Sequence, residues 1–167
     1  MNIFKIAQQN LQHSKAATLF IKLIEEKDFS IACVQEPYIT NEHIPGIPIG
    51  WKQFHSTYRS SIIIKNPKIP ATILETSADS ISISIFLNED VALTSTYSSP
   101  SEDLDSTLHE YSSNIPINTH QIICGDFNAH SPTWGYHRED QRGKLLMDFI
   151  SYDNFFWLTH RTRNQLT

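Results

Sequence analysis

The sequence predicts an α/β fold in which two sheets pack face to face with helices on the outside. Three observations predict it. The chain opens with strand-like, helical and again strand-like periodicity, and its middle holds two alternating runs joined by a short polar turn. A further apolar run then leads, through a polar loop, into an amphipathic helix. Of the 167 residues, 40% are hydrophobic and 19% charged, which fits one domain with a buried core.

From Ile3 to Leu11 the chain alternates, Phe4 and Ile6 against Lys5 and Ala7, and reads as a first strand with Asn10 near its end. Ser14 is placed to cap a helix whose apolar stripe is Ala17, Phe20, Leu23 and Ile24. Ser30 to Gln35 is an apolar run ending in Gln35–Glu36–Pro37. Pro37 cannot donate to a sheet ladder and biases Glu36 toward extended backbone, so the strand is expected to stop there. Tyr38 to Phe54 reads as a connection punctuated by Pro45, Gly46, Pro48 and Gly50.

Ser60 to Ile64 reads as the next strand, and Ala71 to Glu75 as another beyond Pro67 and Pro70. Ile81, Ile83 and Ile85 alternate with serines, while Val91, Leu93, Ser95 and Tyr97 share a face of the following run. Residues 88–90 join these two as an antiparallel hairpin. Ser98–Ser99–Pro100 is expected to open a helix with Glu102 and Asp103 in its first turn, near the positive end of its dipole. Ile122–Ile123–Cys124 reads as a buried central strand closed by Gly125. Between Arg142 and Ile150, Leu145, Leu146, Phe149 and Ile150 fall on one side of a helix, and Phe155 to Leu158 reads as a last short strand.

Composition excludes several classes. No apolar run reaches the ~20 residues that span a bilayer, so no membrane role is expected. The amino terminus has no continuous apolar stretch of the secretory kind. The two cysteines, Cys33 and Cys124, lie in strand-like runs and read as small buried hydrophobes. A net charge of −5 argues against a broad basic surface for gripping nucleic acid. It leaves room for a nucleic-acid enzyme with carboxylates reserved for a cation. Basic residues gather late, at His137, Arg138, Arg142, Lys144, His160, Arg161 and Arg163.

Polar groups fall at the exits of the predicted strands: Asn10, Glu36, Tyr97, and the pair Asp126 and Asn128. Layered α/β folds place chemistry at such ends. Asp126 and Asn128 are two apart and share a face, with Phe127 turned into packing. One hard anion beside a neutral amide suits a metal-bound phosphate, because the amide donates without adding negative charge. Glu36 is an oxygen ligand of the type Mg²⁺ or Mn²⁺ prefers, and no Cys/His cluster with zinc spacing occurs. His130 is a candidate for phosphate and Trp134 for base stacking, each with a local or core alternative. Arg138 and Arg142 are candidates for backbone phosphates, with a locally paired or solvated state as the alternative.

Asn10, Gln35–Glu36–Pro37, Tyr97–Ser98–Ser99–Pro100 and Gly125–Asp126–Phe127–Asn128–Ala129–His130 occur in order, followed by Trp134–Gly135 and Arg142–Gly143. Together they resemble the endonuclease/exonuclease/phosphatase superfamily. The likeness is nearest to the apurinic-like endonuclease domain of arthropod non-LTR retrotransposon reverse-transcriptase polyproteins. It implies a four-layered α/β sandwich of the DNase I-like type and Mg²⁺-dependent phosphodiester cleavage. It also implies nicking of double-stranded DNA in the nucleus for target-primed reverse transcription. By resemblance Glu36 is a metal ligand with Asn10 beside it. Tyr97 lies near the phosphate, Asp126 orients the attacking water, and Asn128 steadies the scissile phosphate. Thr162 resembles a threonine near the DNA, and a reverse transcriptase is the implied neighbour in the intact element protein.

The resemblance also implies a later aspartate and a Ser-Asp-His motif near the carboxyl end. Neither of the segments that would carry them occurs in these residues, and no Ser-Asp-His is found anywhere in the sequence. The sequence expectation is therefore a domain truncated before its last strands, with activity severely reduced. Another phosphoesterase of the same superfamily and a noncatalytic DNA-binding fragment are the alternatives.

Overall fold

A computed structural model describes residues 4–14, 17–113, 119–153 and 155. The opening is β1 (Ile6–Asn10), α1 (Ala17–Glu26) and β2 (Ile31–Gln35). Three antiparallel pieces follow, β3 (Lys52–His55), β4 (Ser60–Ile64) and β5 (Ala71–Thr76), then the hairpin β6 (Ser80–Phe86) and β7 (Asp90–Tyr97). After α2 (Leu104–Ser113) come β8 (His120–Asp126), a 3₁₀ turn at Pro132–Trp134, and α3 (Gln141–Tyr152). Among the described residues the strands form two four-stranded sheets, ordered β1-β2-β4-β3 and β5-β6-β7-β8. The pairs β1/β2 and β7/β8 are parallel, and the others antiparallel.

Alternation builds four layers. In β2 and β4, Ile31, Cys33, Ile62 and Ile64 face Ile81, Ile83, Ile85 and Leu93 of the second sheet, making the central core. The alternate residues Ala32, Val34 and Ile63 point the other way onto Ala17, Phe20, Ile21 and Ile24 of α1. On the far side, Leu104, Leu108 and Tyr111 of α2 meet Leu146 of α3 over Ile123 and Phe127. The order is thus helix, sheet, sheet, helices, as the fold expectation had it. Cys33 and Cys124 are free thiols. Among the described residues no helix is long and apolar enough to cross a membrane.

Several local expectations change. β3 falls where a bare connection was expected, because an edge strand half-buried at every position leaves no alternation to read. Glu36 is not extended; its φ is +48, because its N–H donates to the Arg59 carbonyl at 2.8 Å and its own carbonyl accepts from His13 N–H at 2.7 Å. These long-range bonds outweigh the local bias set by Pro37. Glu102 precedes α2, and Asp103 instead accepts from the Asp105 amide and Ser106 hydroxyl at the helix start. Among the described residues β8 is an edge strand rather than a central one, and Ile122 is exposed. Of the predicted strand Phe155–Leu158 only Phe155 is described, and Thr162 lies outside the described residues.

Gly125 has a spatial reason. A Cβ there would sit 2.5 Å from Thr96 Cγ2, so only hydrogen lets β8 lie close on β7 just before Asp126.

Candidate functional site

Register brings the polar strand exits together. Asn10 pairs with Gln35 at the end of β1 and β2, which leaves Glu36 just beyond the same edge. Tyr97 pairs with Asp126 at the end of β7 and β8. The two edges then meet through Asn10, whose carboxamide donates to Glu36 Oε2 at 2.9 Å and to Asp126 Oδ2 at 2.8 Å. Its oxygen accepts from Gln12 N–H at 2.8 Å, which fixes which end of the amide faces the carboxylates. In this arrangement Asn10 is a bridging donor between the two carboxylates, beside Glu36 as the resemblance implies.

Asn128 stands beside Asp126 in a left-handed turn with φ +46. Its N–H donates to Asp126 Oδ1 at 3.2 Å, and its carboxamide donates to the Ser98 carbonyl at 3.0 Å and also bonds the Tyr97 hydroxyl. The strand alternation expected to carry Asn128 onto the face of Asp126 has ended by then; the turn does that work. Both Glu36 and Asn128 thus occupy backbone that costs a non-glycine residue about 1–3 kcal/mol, a cost that clusters at functional sites. Burial, and then the negative charge of Glu36, push the Tyr97 phenol above its ordinary value.

The donor set suits a hard cation that keeps most of its water. Two carboxylates one amide apart offer oxygens alone, as magnesium or manganese prefers. Among the described residues no group of three or more His, Cys, Asp or Glu side chains is gathered to hold an ion.

The remaining expected residues spread out. His130 is exposed, stacks on Tyr136 at 4.2 Å and pairs through Nδ1 with Asp140 at 3.1 Å, so the loop rather than the carboxylate pair holds it. Trp134 donates to the Ala129 carbonyl at 2.8 Å and packs, partly buried, against the α2–α3 core, the alternative considered for it. Arg138 is exposed and makes no hydrogen bond or ion pair among the described residues. Arg142 is spent on the chain's own carbonyls, not presented to phosphate.

Three site-adjacent residues escaped the sequence reading. His13 approaches Glu36 at 3.7 Å and, with Pro37, Tyr38, His55 and Tyr58, lines an open groove of about 530 Å³ beside it. Gln35 is fully buried and donates to Ser95 Oγ at 3.1 Å, a polar tie between the sheets directly under Glu36. Arg59 pairs with Asp79 at 2.6 Å and covers the Tyr97 ring at 4.7 Å. Only Gln35, next to Glu36, carried a signal. Nothing local to Arg59 announces partners so far along the chain.

Comparisons with known proteins now bear on this arrangement. Residues 91–167 match the family model described as endonuclease-reverse transcriptase. Among solved structures, the endonuclease domain of TRAS1, a telomere-specific non-LTR retrotransposon, is similar at a TM-score of 0.78 and 25% identity. That match covers 89% of this chain and 71% of that one. An endonuclease/exonuclease/phosphatase family protein from Leptotrichia buccalis C-1013-b is similar at 0.60 and 13% identity, covering 88% of this chain and 74% of that one. An AP endonuclease from Archaeoglobus fulgidus is similar at 0.58 and 16% identity, covering 98% and 80% respectively. These last two speak to the fold alone. No curated protein sequence gives a significant match. The resemblance to the superfamily, and within it to retrotransposon endonucleases, is borne out by the family model and by the TRAS1 structure together.

Proposed function

We propose that this chain is the endonuclease domain of a retrotransposon protein, hydrolysing phosphodiesters in double-stranded DNA with Mg²⁺ or Mn²⁺. The observation that carries the reading is the Glu36–Asn10–Asp126 bridge between the two sheet edges, with Asn128 and Tyr97 adjoining, on a fold similar to the TRAS1 endonuclease domain.

Glu36, with Asp126 beside it, would hold the cation, which supplies charge neutralisation at the phosphoryl group and the leaving 3′-oxygen when bound. The chain's own groups divide the rest of the work. Asp126 orients the attacking water and accepts its proton, since its carboxylate is fixed by the Asn10 and Asn128 donors rather than free to rotate. Asn128 and Tyr97 adjoin each other, and in the complex their donors turn to the phosphoryl oxygens as negative charge grows there. The groove beside Glu36 is the path for the flanking strand. The biological setting that follows is nuclear nicking of host DNA that leaves a 3′-hydroxyl for reverse transcription by a partner domain.

The test is a supercoiled-plasmid nicking assay with Mg²⁺ or Mn²⁺, run on this chain and, where coding sequence continues past Thr167, on the longer chain. Cation-dependent nicking lost in both Glu36→Ala and Asp126→Ala supports the reading. Nicking that survives both substitutions removes it. DNA binding without cleavage in either chain, unaffected by Asp126→Ala, would favour a noncatalytic binding fragment.

A further inference from the structure

Arg142 is the second residue of α3, yet its guanidinium reaches into both loops that carry the site. Nη1 donates to the Glu102 carbonyl at 2.7 Å. Nη2 donates to Ser98 Oγ at 2.7 Å and to the Phe127 carbonyl at 2.9 Å. Nε donates to the Asn128 carbonyl at 3.1 Å. Ser98 and Glu102 follow Tyr97, while Phe127 and Asn128 follow Asp126. One planar fork therefore spans the two segments whose side chains converge on the phosphate position.

The fork is itself held firmly. Asp140 caps α3 by accepting from Gly143 N–H at 2.6 Å, and the same carboxylate accepts from His130 N–H at 3.1 Å. Around the guanidinium, Ser98 N–H donates to the Asp126 carbonyl at 2.9 Å and Asn128 Nδ2 to the Ser98 carbonyl at 3.0 Å. The left-handed turn at Asn128 is thus over-determined from three sides, and Arg142 supplies the side that no local bond can. A lysine offers a point charge with three donors and cannot reach both loops in one plane.

We infer that Arg142 is a positioning residue: it touches no substrate, and it fixes the Asn128 carboxamide beside Asp126 by holding the carbonyls of Phe127 and Asn128 against the Ser98–Glu102 segment. This rests on the phosphodiesterase reading of the site.

The experiment has two arms, each on Arg142→Lys, Arg142→Met and Arg142→Ala. Amide hydrogen exchange by NMR needs no activity. The Ser98 and Asn128 amides are expected to exchange about tenfold faster or more in every variant, with Ile62 and Ile63 in β4 unchanged as internal reference. Unchanged protection at Ser98 and Asn128 overturns the inference. In the nicking assay, kcat is expected to fall about 100-fold with KM held within a few-fold, because the loss is one of alignment. Added guanidinium ion should restore part of the Arg142→Ala rate, and Arg142→Lys should not recover it. A raised KM at unchanged kcat would mean that Arg142 contacts DNA, and would overturn the inference. Absence of nicking by the unsubstituted protein, in this chain and in any longer one, would overturn the phosphodiesterase reading and the positioning role with it, while the exchange arm would still register the brace.

Discussion

Asn10 and Asp126 lie 116 positions apart in sequence and are joined by a 2.8 Å hydrogen bond that closes the gap between the two sheets. The same amide donates to Glu36, so two carboxylates share one neutral donor pair. Replacing Asn10 by Asp would remove both donors and set a third negative charge between the two already there. Repulsion at these distances is relieved by a cation and by little else. Asn10→Asp is therefore expected to lower the melting temperature by several degrees in EDTA, and to regain more on Mg²⁺ addition than the unsubstituted protein does. Asn10→Ala, which removes the bonds without adding charge, should cost about 1–3 kcal/mol and show no enhanced Mg²⁺ response. Equal melting of Asn10→Asp and the unsubstituted protein in EDTA would contradict the bridge.

Gly143 presents a case where local propensity and packing predict opposite signs. Alanine at a helical glycine is favoured by about 1 kcal/mol on propensity alone. A Cβ at Gly143 would lie 1.9 Å from the His130 carbonyl oxygen, a backbone atom that cannot swing aside. Gly143→Ala is accordingly expected to destabilise by about 2–4 kcal/mol in urea unfolding, through displacement of α3 from the site loop. A gain in stability would show that the loop gives way freely.

Much of this was legible in the sequence, and the reasons are local. Ile81, Ile83 and Ile85 alternate because one face of β6 is buried between sheets, and the turn at 88–90 follows from Asn88, which takes φ +102. Site candidates at strand ends were legible for the same reason, since strands end where polar residues begin. What was hidden depended on partners far along the chain. The positive φ at Glu36 is imposed by Arg59 and His13, and the edge strand Lys52–His55 is defined only by its pairing to β4. Arg142 was open between a phosphate contact and local pairing because a sequence shows its charge and not its acceptors. Trp134 was open between core and base for the same reason, and Thr162 falls beyond the described residues.

His55 carries a pH dependence whose direction follows from its bonds. Its Nε2–H donates to the Glu42 carbonyl at 3.1 Å, so Nδ1 is left to accept from the Ser61 hydroxyl at 2.7 Å, an arrangement of the neutral ring. Burial, the largest cause, lowers its pKa below the ordinary 6.5. The unfolded chain then takes up the proton before the folded one does. Stability from this group is present above about pH 6.5 and is lost as the pH falls from there toward the lower folded value. An NMR titration of the His55 ring should give a midpoint below 6.5, and His55→Asn should flatten the fall in melting temperature between pH 7.5 and 5. A midpoint at or above 6.5 would refute the neutral assignment.

Arg59, like Arg142, ties into the segment that follows Tyr97 through Glu102. Its guanidinium takes Asp79 through two bonds of 2.6 and 2.7 Å and Glu102 through a third of 2.6 Å. The partners are 18% and 37% exposed, between the surface and buried limits, so Arg59→Met is expected to cost about 1–3 kcal/mol. An Arg59→Met/Asp79→Asn cycle should show a coupling of about 1–2 kcal/mol. The sharper readout is Tyr97, whose ring the guanidinium covers at 4.7 Å. Burial and the charge of Glu36 raise the phenol's pKa, while the Arg59 charge opposes them. Removing the cation takes away one of the two opposing causes and leaves only the Asn128 hydrogen bond, so the Tyr97 phenol should titrate at higher pH in Arg59→Met, followed by the ¹³C shift of its ring carbon bearing oxygen. A fall would mean that Tyr97 had swung into solvent, and the variant would then lose donor alignment at the phosphate as well as charge. An unchanged midpoint would refute the electrostatic contact.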